Sequence, residues 1–348
     1  MASQPKDIHI RMSFLFHAIS LFWASLMRHE PLLSIVSLAY NHELYIAQAL
    51  ESFLLQTTSF PVEIVVGEDC SKDGTRDICM HYVKQYPGKI RVITSERNVG
   101  PHDNFRRTVL AARGTYIALC DADDYWTDPN KLQKQVDFLE ANPEYRLCYT
   151  NARELNQRTN TFSPTVLGQS HSSLEDLLLT NNVPTMTAVF RKSMYDAFVS
   201  EIFPHSANWK MGDYPLWLFI AAKSKVKLLD GITATYRVLE ESASRSKNID
   251  HYVDFVSSAF TVKNFFADRF HVSDETRKQY TLKYFCDILY WAFFVDRVEL
   301  IEQAKSFFET NDLIILRSIL AGFTIFKNNR FALKVLKRFM EQYTLSSQ

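Results

Sequence analysis

Short apolar runs alternate with segments of helical periodicity between residues 31 and 150. The apolar runs predict buried strands and lie at residues 32–39, 62–66, 89–94, 116–120 and 145–150. Apolar positions at helical spacing predict helices between these strands, at residues 43–55, from the turn at Gly74 to Tyr86, and at 105–112 and 131–140. This alternation indicates an α/β fold, in which helices cover a mostly parallel sheet.

The pattern changes after residue 150. A polar stretch, a helix, an apolar segment and a second helix follow, at residues 156–173, 174–179, 185–190 and 214–222. From about Asn248 the strand signals end, and an aromatic-rich helical pattern continues. We therefore predict an apolar N-terminal extension, one α/β domain with two halves and a helical C-terminal region, at residues 1–30, 31–245 (31–150 and 151–245) and 246–348.

The composition narrows the class of partner. Lys and Arg together number 39, as do Asp and Glu, so the formal net charge is zero. Because no basic excess is available for a phosphate backbone, the sequence predicts no nucleic-acid partner.

The five cysteines show no CxxC spacing. This count and spacing argue against a disulfide framework or structural zinc site, and they favour a reducing compartment.

Two segments near the ends of the chain raise the question of membrane contact. Residues 13–27 are mostly apolar, but roughly 15 residues are fewer than the ~20 that span a bilayer. A membrane-associating segment, a signal-like segment and sequence ahead of a true start at Met27 remain alternatives, with no small-residue cleavage site to support the second. Residues 326–339 interleave basic and apolar side chains. They could lie on an anionic membrane surface or pack on their own domain.

Polar side chains follow three of the predicted strands directly. Tyr40-Asn41, Glu68-Asp69 and the acidic run from Asp121 to Asp124 all come where a strand ends. Ligands of such sheets gather outside the carboxyl ends of the strands. Neighbouring carboxylates repel one another, and a hard cation such as Mg²⁺ or Mn²⁺ relieves that repulsion. The alternative is a solvated acidic turn, with Asp128-Pro129 capping the next helix.

These motifs resemble those of family 2 glycosyltransferases, which have the GT-A fold. The similarity runs from Pro31 to Arg245 through PLLSIVSLAYN, EIVVGEDCSKDGT, RNVG and GTYIALCDADDYWTDPNKLQKQ, in the order and spacing of the family. The run DADD corresponds to the DxD motif of that family. The resemblance implies that Asp123 ligates a metal bridging the donor diphosphate, and that Asp121 contacts the metal or the ribose.

The same resemblance assigns three more residues to donor binding. Asp69 corresponds to a carboxylate that accepts a hydrogen bond from the base ring N–H, although Glu68 stands where Asp is usual. Tyr40 takes the place of a ring that stacks on the base, with plain packing as the alternative. Asn98 lies on the loop expected near the ribose or phosphates, but Asn-x-Gly is also an ordinary turn.

Two residues downstream complete the expected site. Inverting transfer needs a base for the acceptor hydroxyl proton. The resemblance assigns this role to Asp213, which also suits a helix N-cap. Arg237 is similar to a residue of the segment that closes on the donor diphosphate. A surface ion pair is the alternative there.

The resemblance thus implies an inverting glycosyltransferase with Mn²⁺ or Mg²⁺ as cofactor. Its donor would be a UDP- or dTDP-sugar, and its acceptor a glycan or lipid-linked glycan in cell-surface polysaccharide or glycan assembly. We expect a cytoplasmic protein, with peripheral contact at the inner face of the membrane. The alternatives are an inactive sugar-nucleotide or glycan-binding module and a nucleotidyltransferase. The latter normally has a Gly-rich phosphate loop where this chain reads AYNHELY.

Overall fold

A computed structural model describes residues 30–168, 170, 173–206, 208–239, 248–295 and 297–325, together with 334, 335 and 338. The apolar segment 13–27 and most of the basic stretch 326–339 lie outside the described residues. The chain divides into two compact units. The first contains the described residues up to Ala152, together with Pro184–Asp196 and Leu229–Tyr236, and the second contains the others.

The elements follow the predicted alternation. The strands are β1 (Leu33–Ala39), β2 (Val62–Glu68), β3 (Ile90–Ile93), β4 (Tyr116–Leu119), β5 (Tyr125–Trp126), β6 (Tyr145–Asn156), β7 (Thr161–Leu167), β8 (Val189–Arg191) and β9 (Lys225–Val238). The helices are α1 (Ile46–Leu54), α2 (Thr75–Gln85), α3 (Pro101–Ala111), α4 (Lys131–Ala141), α5 (Leu174–Leu179), α6 (Lys192–Glu201), α7 (Asp213–Lys223), α8 (Ile249–Arg269), α9 (Asp274–Phe294), α10 (Val298–Thr310) and α11 (Ile314–Ile325).

Four parallel strands form the centre of the first unit, in the order β3-β2-β1-β4. The register of β1 against β2 runs from Leu33↔Val62 to Ala39↔Glu68. Both strands are buried along almost their whole length. This explains their continuous apolar runs, since parallel strands are covered on both faces. The predicted α/β fold is confirmed.

The sheet continues through β6, which was predicted at residues 145–150, and through β5, β7, β8 and β9, which the sequence pattern did not predict as strands. β8 pairs antiparallel with β4 and β6, and β9 pairs antiparallel with β5. β7, which lies in the predicted polar stretch, pairs with β6. β7 and much of β9 are partly exposed. Their pattern therefore lacks the apolar run that identifies a buried strand.

The helix predicted at residues 131–140 begins where expected: α4 starts at Lys131 with Asn130 as its N-cap residue, so the alternative in which Asp128-Pro129 caps this helix does not hold. The Asp128 carboxylate accepts a hydrogen bond from the Asn130 backbone N–H at 2.9 Å. Asp128 therefore shapes the turn ahead of α4 and is not its cap.

The second unit contains the predicted C-terminal helices, which pack through aromatic side chains. Phe260 of α8 stacks on Tyr284 of α9 with ring centroids 4.0 Å apart, and Phe285 contacts Phe308 of α10. Such ring pairs stabilise beyond their buried area, which accounts for the phenylalanine-rich composition here. Among the described residues, no helix is long and apolar enough to cross a membrane.

Candidate active site

Two acidic segments flank the carboxyl end of β1 in the first unit. The Asp69 backbone N–H donates to the Ala39 carbonyl at 3.0 Å, and the Ala122 N–H donates to the Leu38 carbonyl at 2.9 Å. The acidic residues that follow β2 and β4 therefore lie on the two sides of the carboxyl end of β1, just before Tyr40. This is the edge of the sheet where the sequence predicted a ligand site.

The run DADD forms a tight turn in which exposure alternates. Asp121 and Asp123 are half-buried, while Ala122 and Asp124 are buried. The Asp124 N–H donates to the Asp121 carbonyl at 3.0 Å. Burial raises the pKa of the neighbouring Cys120 thiol well above its ordinary value, and the charges of these three aspartates add to that increase. The turn is therefore a centre of negative charge at the sheet edge.

These residues fit a divalent cation that also binds a substrate. Within the described part of the chain, no three His, Cys, Asp or Glu side chains come together as a set that could hold a metal. Asp121 and Asp123 are separated by one residue and both reach the surface. Mg²⁺ is usually bound by one or two carboxylates, with water and substrate phosphate oxygens as its other ligands. A cation here would share its ligands between protein and substrate.

The loops after β1 and β2 are joined by hydrogen bonds. The Asn41 N–H donates to Ser71 Oγ at 3.1 Å, and the Lys72 N–H donates back to Asn41 Oδ1 at 2.9 Å. Asn41 and Cys70 adopt positive φ angles of 57° and 58°, a strained conformation for residues with side chains. Tyr40 lies at the start of this paired loop with 36% of its surface exposed. Its ring is therefore accessible to a planar ligand.

Glu68, the last residue of β2, organises the same turn. Its side chain is fully buried and accepts hydrogen bonds from the Ser71 N–H at 2.6 Å and from Arg76 Nε at 2.5 Å. Burial alone would raise the pKa of Glu68, but these donors outweigh it and lower the pKa. Glu68 thus holds the loop after β2 from within.

His42 is a residue near the acidic turn that the sequence pattern did not select. Its backbone N–H donates to Thr75 Oγ1 at 2.7 Å. Within the described part of the chain, its buried Nδ1 has no hydrogen-bond partner. Burial lowers the pKa of His42, although the charges of Asp123 and Asp73 act in the opposite direction. A lone histidine without metal-ligand spacing gave no sequence signal for this proximity.

Asp69 is 2% exposed and receives several donors from the loop after β3. Ser95 Oγ donates to its Oδ1 at 3.1 Å, as does the Val99 N–H at 2.9 Å. The Gly100 N–H donates to its Oδ2 at 2.9 Å. The carboxylate therefore connects the end of β2 to the start of α3.

Asn98 lies in that loop with its side chain exposed. Its Oδ1 accepts from the Gly100 N–H at 3.0 Å, which is the turn that the Asn-x-Gly sequence predicts. Gly100 has a φ of 86°, a conformation that favours glycine, and α3 begins at the next residue. Asn98 thus shares a backbone donor with Asp69.

Asp213 lies in the second unit as the first residue of α7. Gly212 is the N-cap residue, so the expected capping alternative does not describe Asp213. Its Oδ1 accepts from the Tyr214 N–H at 2.7 Å, and its side chain is half-buried. The helix residues from Tyr214 to Ile220 are buried. Asp213 is thus a carboxylate at the head of an otherwise apolar helix.

Arg237 also lies in the second unit, and it is 5% exposed. Its Nε donates to Gln157 Oε1 at 3.1 Å. Because the side chain is buried, a surface ion pair does not describe it.

The sequence model of the protein family "Glycosyl transferase family 2" matches residues 34–198 of this chain. This stretch contains both acidic segments and the loops around Tyr40 and Asn98.

Sequence relatives extend over a longer part of the chain. An uncharacterized protein of Mycobacterium tuberculosis is 37% identical over 209 residues, which are 59% of this chain and 58% of that protein. The chain thus spans less than two thirds of the length of this curated relative.

Two solved structures share the fold. S. aureus TarS 1–349 in complex with UDP-GlcNAc has a TM-score of 0.58 at 17% identity, covering 91% of this chain and 92% of that one. The mannosyltransferase PcManGT of Pyrobaculum calidifontis, in complex with GDP-Man and Mn²⁺, has a TM-score of 0.50 at 14% identity, covering 92% and 95%. At these identities the similarity establishes a common fold.

Proposed function

We propose that the chain, whose residues 34–198 match the model of glycosyl transferase family 2, is an inverting, divalent-metal-dependent transferase acting on a nucleotide-sugar. The observation that carries this proposal is the pair of acidic segments on either side of the β1 terminus. Asp69 and Ala122 are both hydrogen-bonded to that terminus. One ligand could reach both segments if its base lay by Asp69 and its diphosphate by Asp121 and Asp123.

The donor is proposed to be a UDP- or dTDP-sugar. A carboxylate that accepts from a ring N–H suits uracil and thymine, and the exposed Tyr40 ring offers a stacking surface. Support comes from TarS, whose structure holds UDP-GlcNAc. We assign Asn98 and Arg237 to the same donor, near its ribose or phosphates.

The cofactor is proposed to be Mn²⁺ or Mg²⁺, held by Asp121 and Asp123. The fit of two neighbouring carboxylates to such a cation supports this, as does the Mn²⁺ in PcManGT. When bound, the cation would supply positive charge beside the leaving diphosphate. The two aspartates orient that charge at the sheet edge.

Asp213 is proposed as the catalytic base. The acceptor oxygen forms a bond to the anomeric carbon while the bond from that carbon to the diphosphate oxygen breaks. The hydroxyl proton passes to the Asp213 carboxylate. Attack opposite the leaving group inverts the anomeric configuration.

The acceptor is proposed to be a glycan or lipid-linked glycan in cell-surface polysaccharide or glycan assembly, used in the cytoplasm near the inner face of the membrane. The five cysteines are free, which suits a reducing compartment. Lys334 and Arg338 are helical and exposed. Both charges could meet an anionic lipid surface.

Metal-dependent donor binding is the first test. Asp123→Ala should lower the affinity for UDP-GlcNAc in the presence of Mn²⁺ by about tenfold or more, because a metal ligand is lost. Titration calorimetry with and without Mn²⁺ measures this. Asp137→Ala, an exposed aspartate on α4, should retain the affinity of the unchanged protein. Equal binding with and without Mn²⁺ in the unchanged protein would contradict metal dependence.

Turnover is the second test. Asp213→Asn should lower the rate constant for transfer by about a hundredfold or more, since general base catalysis contributes at least that much. Its donor affinity should stay close to that of the unchanged protein. Asp196→Asn, which alters an exposed ion pair with Lys192, is the matched control. Full turnover of the Asp213 variant would rule out this residue as the base. Donor hydrolysis separates an active enzyme from an inactive binding module.

A further inference from the structure

Arg107 of α3 connects the ends of two strands next to the site. Its Nη2 donates to the Glu68 carbonyl at 2.8 Å, at the end of β2. Its Nη1 donates to the Thr94 carbonyl at 2.6 Å, just after β3. Its Nε donates to Asn104 Oδ1 at 2.9 Å. The same Nη2 lies 3.7 Å from Asp69 Oδ1, within ion-pair distance.

The helix that carries Arg107 is itself held against β2. Asn104 Nδ2 donates to the Gly67 carbonyl at 2.7 Å. A Cβ added at Gly67 would lie 2.0 Å from Thr108 Oγ1 and 2.7 Å from Asn104 Oδ1. Only glycine admits this close approach of helix and strand. The guanidinium is thus fixed by the seating of its helix as well as by its own acceptors.

These contacts make the two oxygens of the Asp69 carboxylate unequal. Oδ1 takes the Ser95 hydroxyl, the Val99 N–H and the nearby charge of Arg107. Oδ2 takes the Gly100 N–H, which also points at Asn98 Oδ1. A carboxylate oxygen can accept two hydrogen bonds. Oδ2 therefore retains capacity to accept a further donor.

We propose that Arg107 is a positioning residue that holds Asp69 with Oδ2 presented to the base of the donor. The inference rests on the proposed function. With Oδ1 occupied by donors of the protein, Oδ2 accepts the ring N–H of uracil or thymine. Cytosine has an acceptor at the same ring position, and two facing acceptors repel. Arg107 thereby acts on base selection through Asp69 without touching the nucleotide.

Arginine suits this position because of its fork of donors. Three acceptors and one carboxylate surround a single planar group, an arrangement that the compact ammonium of lysine cannot satisfy. Lysine would keep the positive charge but lose most of the simultaneous contacts. The proposal thus predicts an intermediate phenotype for Arg107→Lys, between the unchanged protein and a neutral substitution.

The test compares UDP and CDP binding to the full chain in Mn²⁺ by titration calorimetry. Arg107→Met should weaken UDP binding by about tenfold, the scale of one hydrogen bond to a charged group. CDP binding should change little, so the preference for UDP falls. Arg107→Lys should give a smaller loss of preference. Arg113→Met is the matched control, because it removes a guanidinium from Glu63 at the other end of β2 and should keep the preference.

Each outcome has one meaning. If Arg107→Met and Arg107→Lys weaken UDP and CDP binding equally, or leave the preference intact, Arg107 is a structural residue and the inference is wrong. If Arg107→Met does not fold, Arg107→Lys decides the question alone. If the unchanged protein binds neither UDP nor UDP-GlcNAc in Mn²⁺, the proposed function fails instead.

Discussion

Strand β2 places two carboxylates with equal burial at opposite ends, and they differ in how their oxygens are filled. Glu63, near the start of β2, and Asp69, just past its end, are each 2% exposed. Glu63 Oε1 accepts from Ser34 Oγ at 2.7 Å and from the Arg113 N–H at 2.8 Å. Its Oε2 accepts from the side chains of Arg113 and Arg91 at 2.8 and 3.0 Å.

The comparison separates a carboxylate that serves the fold from one that can serve a ligand. Burying a charge is costly unless it is paired and hydrogen-bonded. Glu63 meets that requirement with two guanidinium groups, and both of its oxygens are filled. Asp69 meets it with neutral loop donors and one more distant guanidinium, and its Oδ2 keeps acceptor capacity. Burial alone therefore does not identify a site residue; the remaining capacity of its oxygens does.

The largest expected effect comes from removing the charge of Glu63, the carboxylate that we assign to the stability of the fold. Glu63→Gln should lower the free energy of unfolding by about 2 kcal/mol, because the buried carboxylate loses its charge while the two arginines paired with it, whose side chains are 34% and 46% exposed, stay partly solvated. Affinity for UDP-GlcNAc in Mn²⁺ should not change. Urea denaturation and calorimetry measure the two quantities. A loss of donor affinity without a loss of stability would reverse the roles that we assign to the two ends.

The control for this prediction is the pH dependence of the difference in unfolding free energy between the unchanged protein and Glu63→Gln. Burial alone would raise the pKa of Glu63, but hydrogen bonds from Arg113, Ser34 and Arg91 outweigh it and lower the pKa below the ordinary value of 4.5. A lowered pKa in the folded state adds stability above pH 4.5 and loses it as the pH falls toward the folded-state pKa. The difference between the unchanged protein and Glu63→Gln should therefore shrink below pH 4.5. A constant difference would contradict the ion pairs.

A smaller effect is expected at the other end of β2. Asp69→Asn should weaken UDP binding by about tenfold, since an amide carries only one acceptor oxygen for the loop and the base together. The free energy of unfolding should fall by about 1 kcal/mol, because neutral donors lose a charged acceptor. Calorimetry and urea denaturation measure both. If stability falls as far as in Glu63→Gln while UDP affinity stays intact, Asp69 belongs to the fold alone.

Sequence patterns located the buried elements better than the exposed ones. β1 and β2 were predicted within about two residues because they are apolar on both faces. β9 contains Gly231 and Asp230 and is exposed or half-buried along its first half, so its extended conformation depends on its place in the sheet between β6 and β5. β-propensity mainly reflects such pairing and packing, which no local pattern reveals.

Lys131 shows that a sequence pattern can also fail to predict the burial of a single side chain. A lysine at the start of a helix predicts a solvated position, yet it is fully buried. Its Nζ donates to Gln135 Oε1 at 2.6 Å and lies 4.4 Å from the ring centroid of Trp126. Burial lowers its pKa to about 7. The surroundings that desolvate this group exist only after folding.

The sequence alone determined where acidic residues follow buried strands, because strand order along the chain and apolar periodicity are local properties. It thus indicated Asp69, Asp121 and Asp123 as residues of one sheet edge. The tertiary structure decided which oxygens of those carboxylates are filled. Arg107 lies 38 positions after Asp69 and reaches it only because α3 is seated on Gly67. Contacts at such separations follow from packing, and packing is not encoded in any short stretch of sequence.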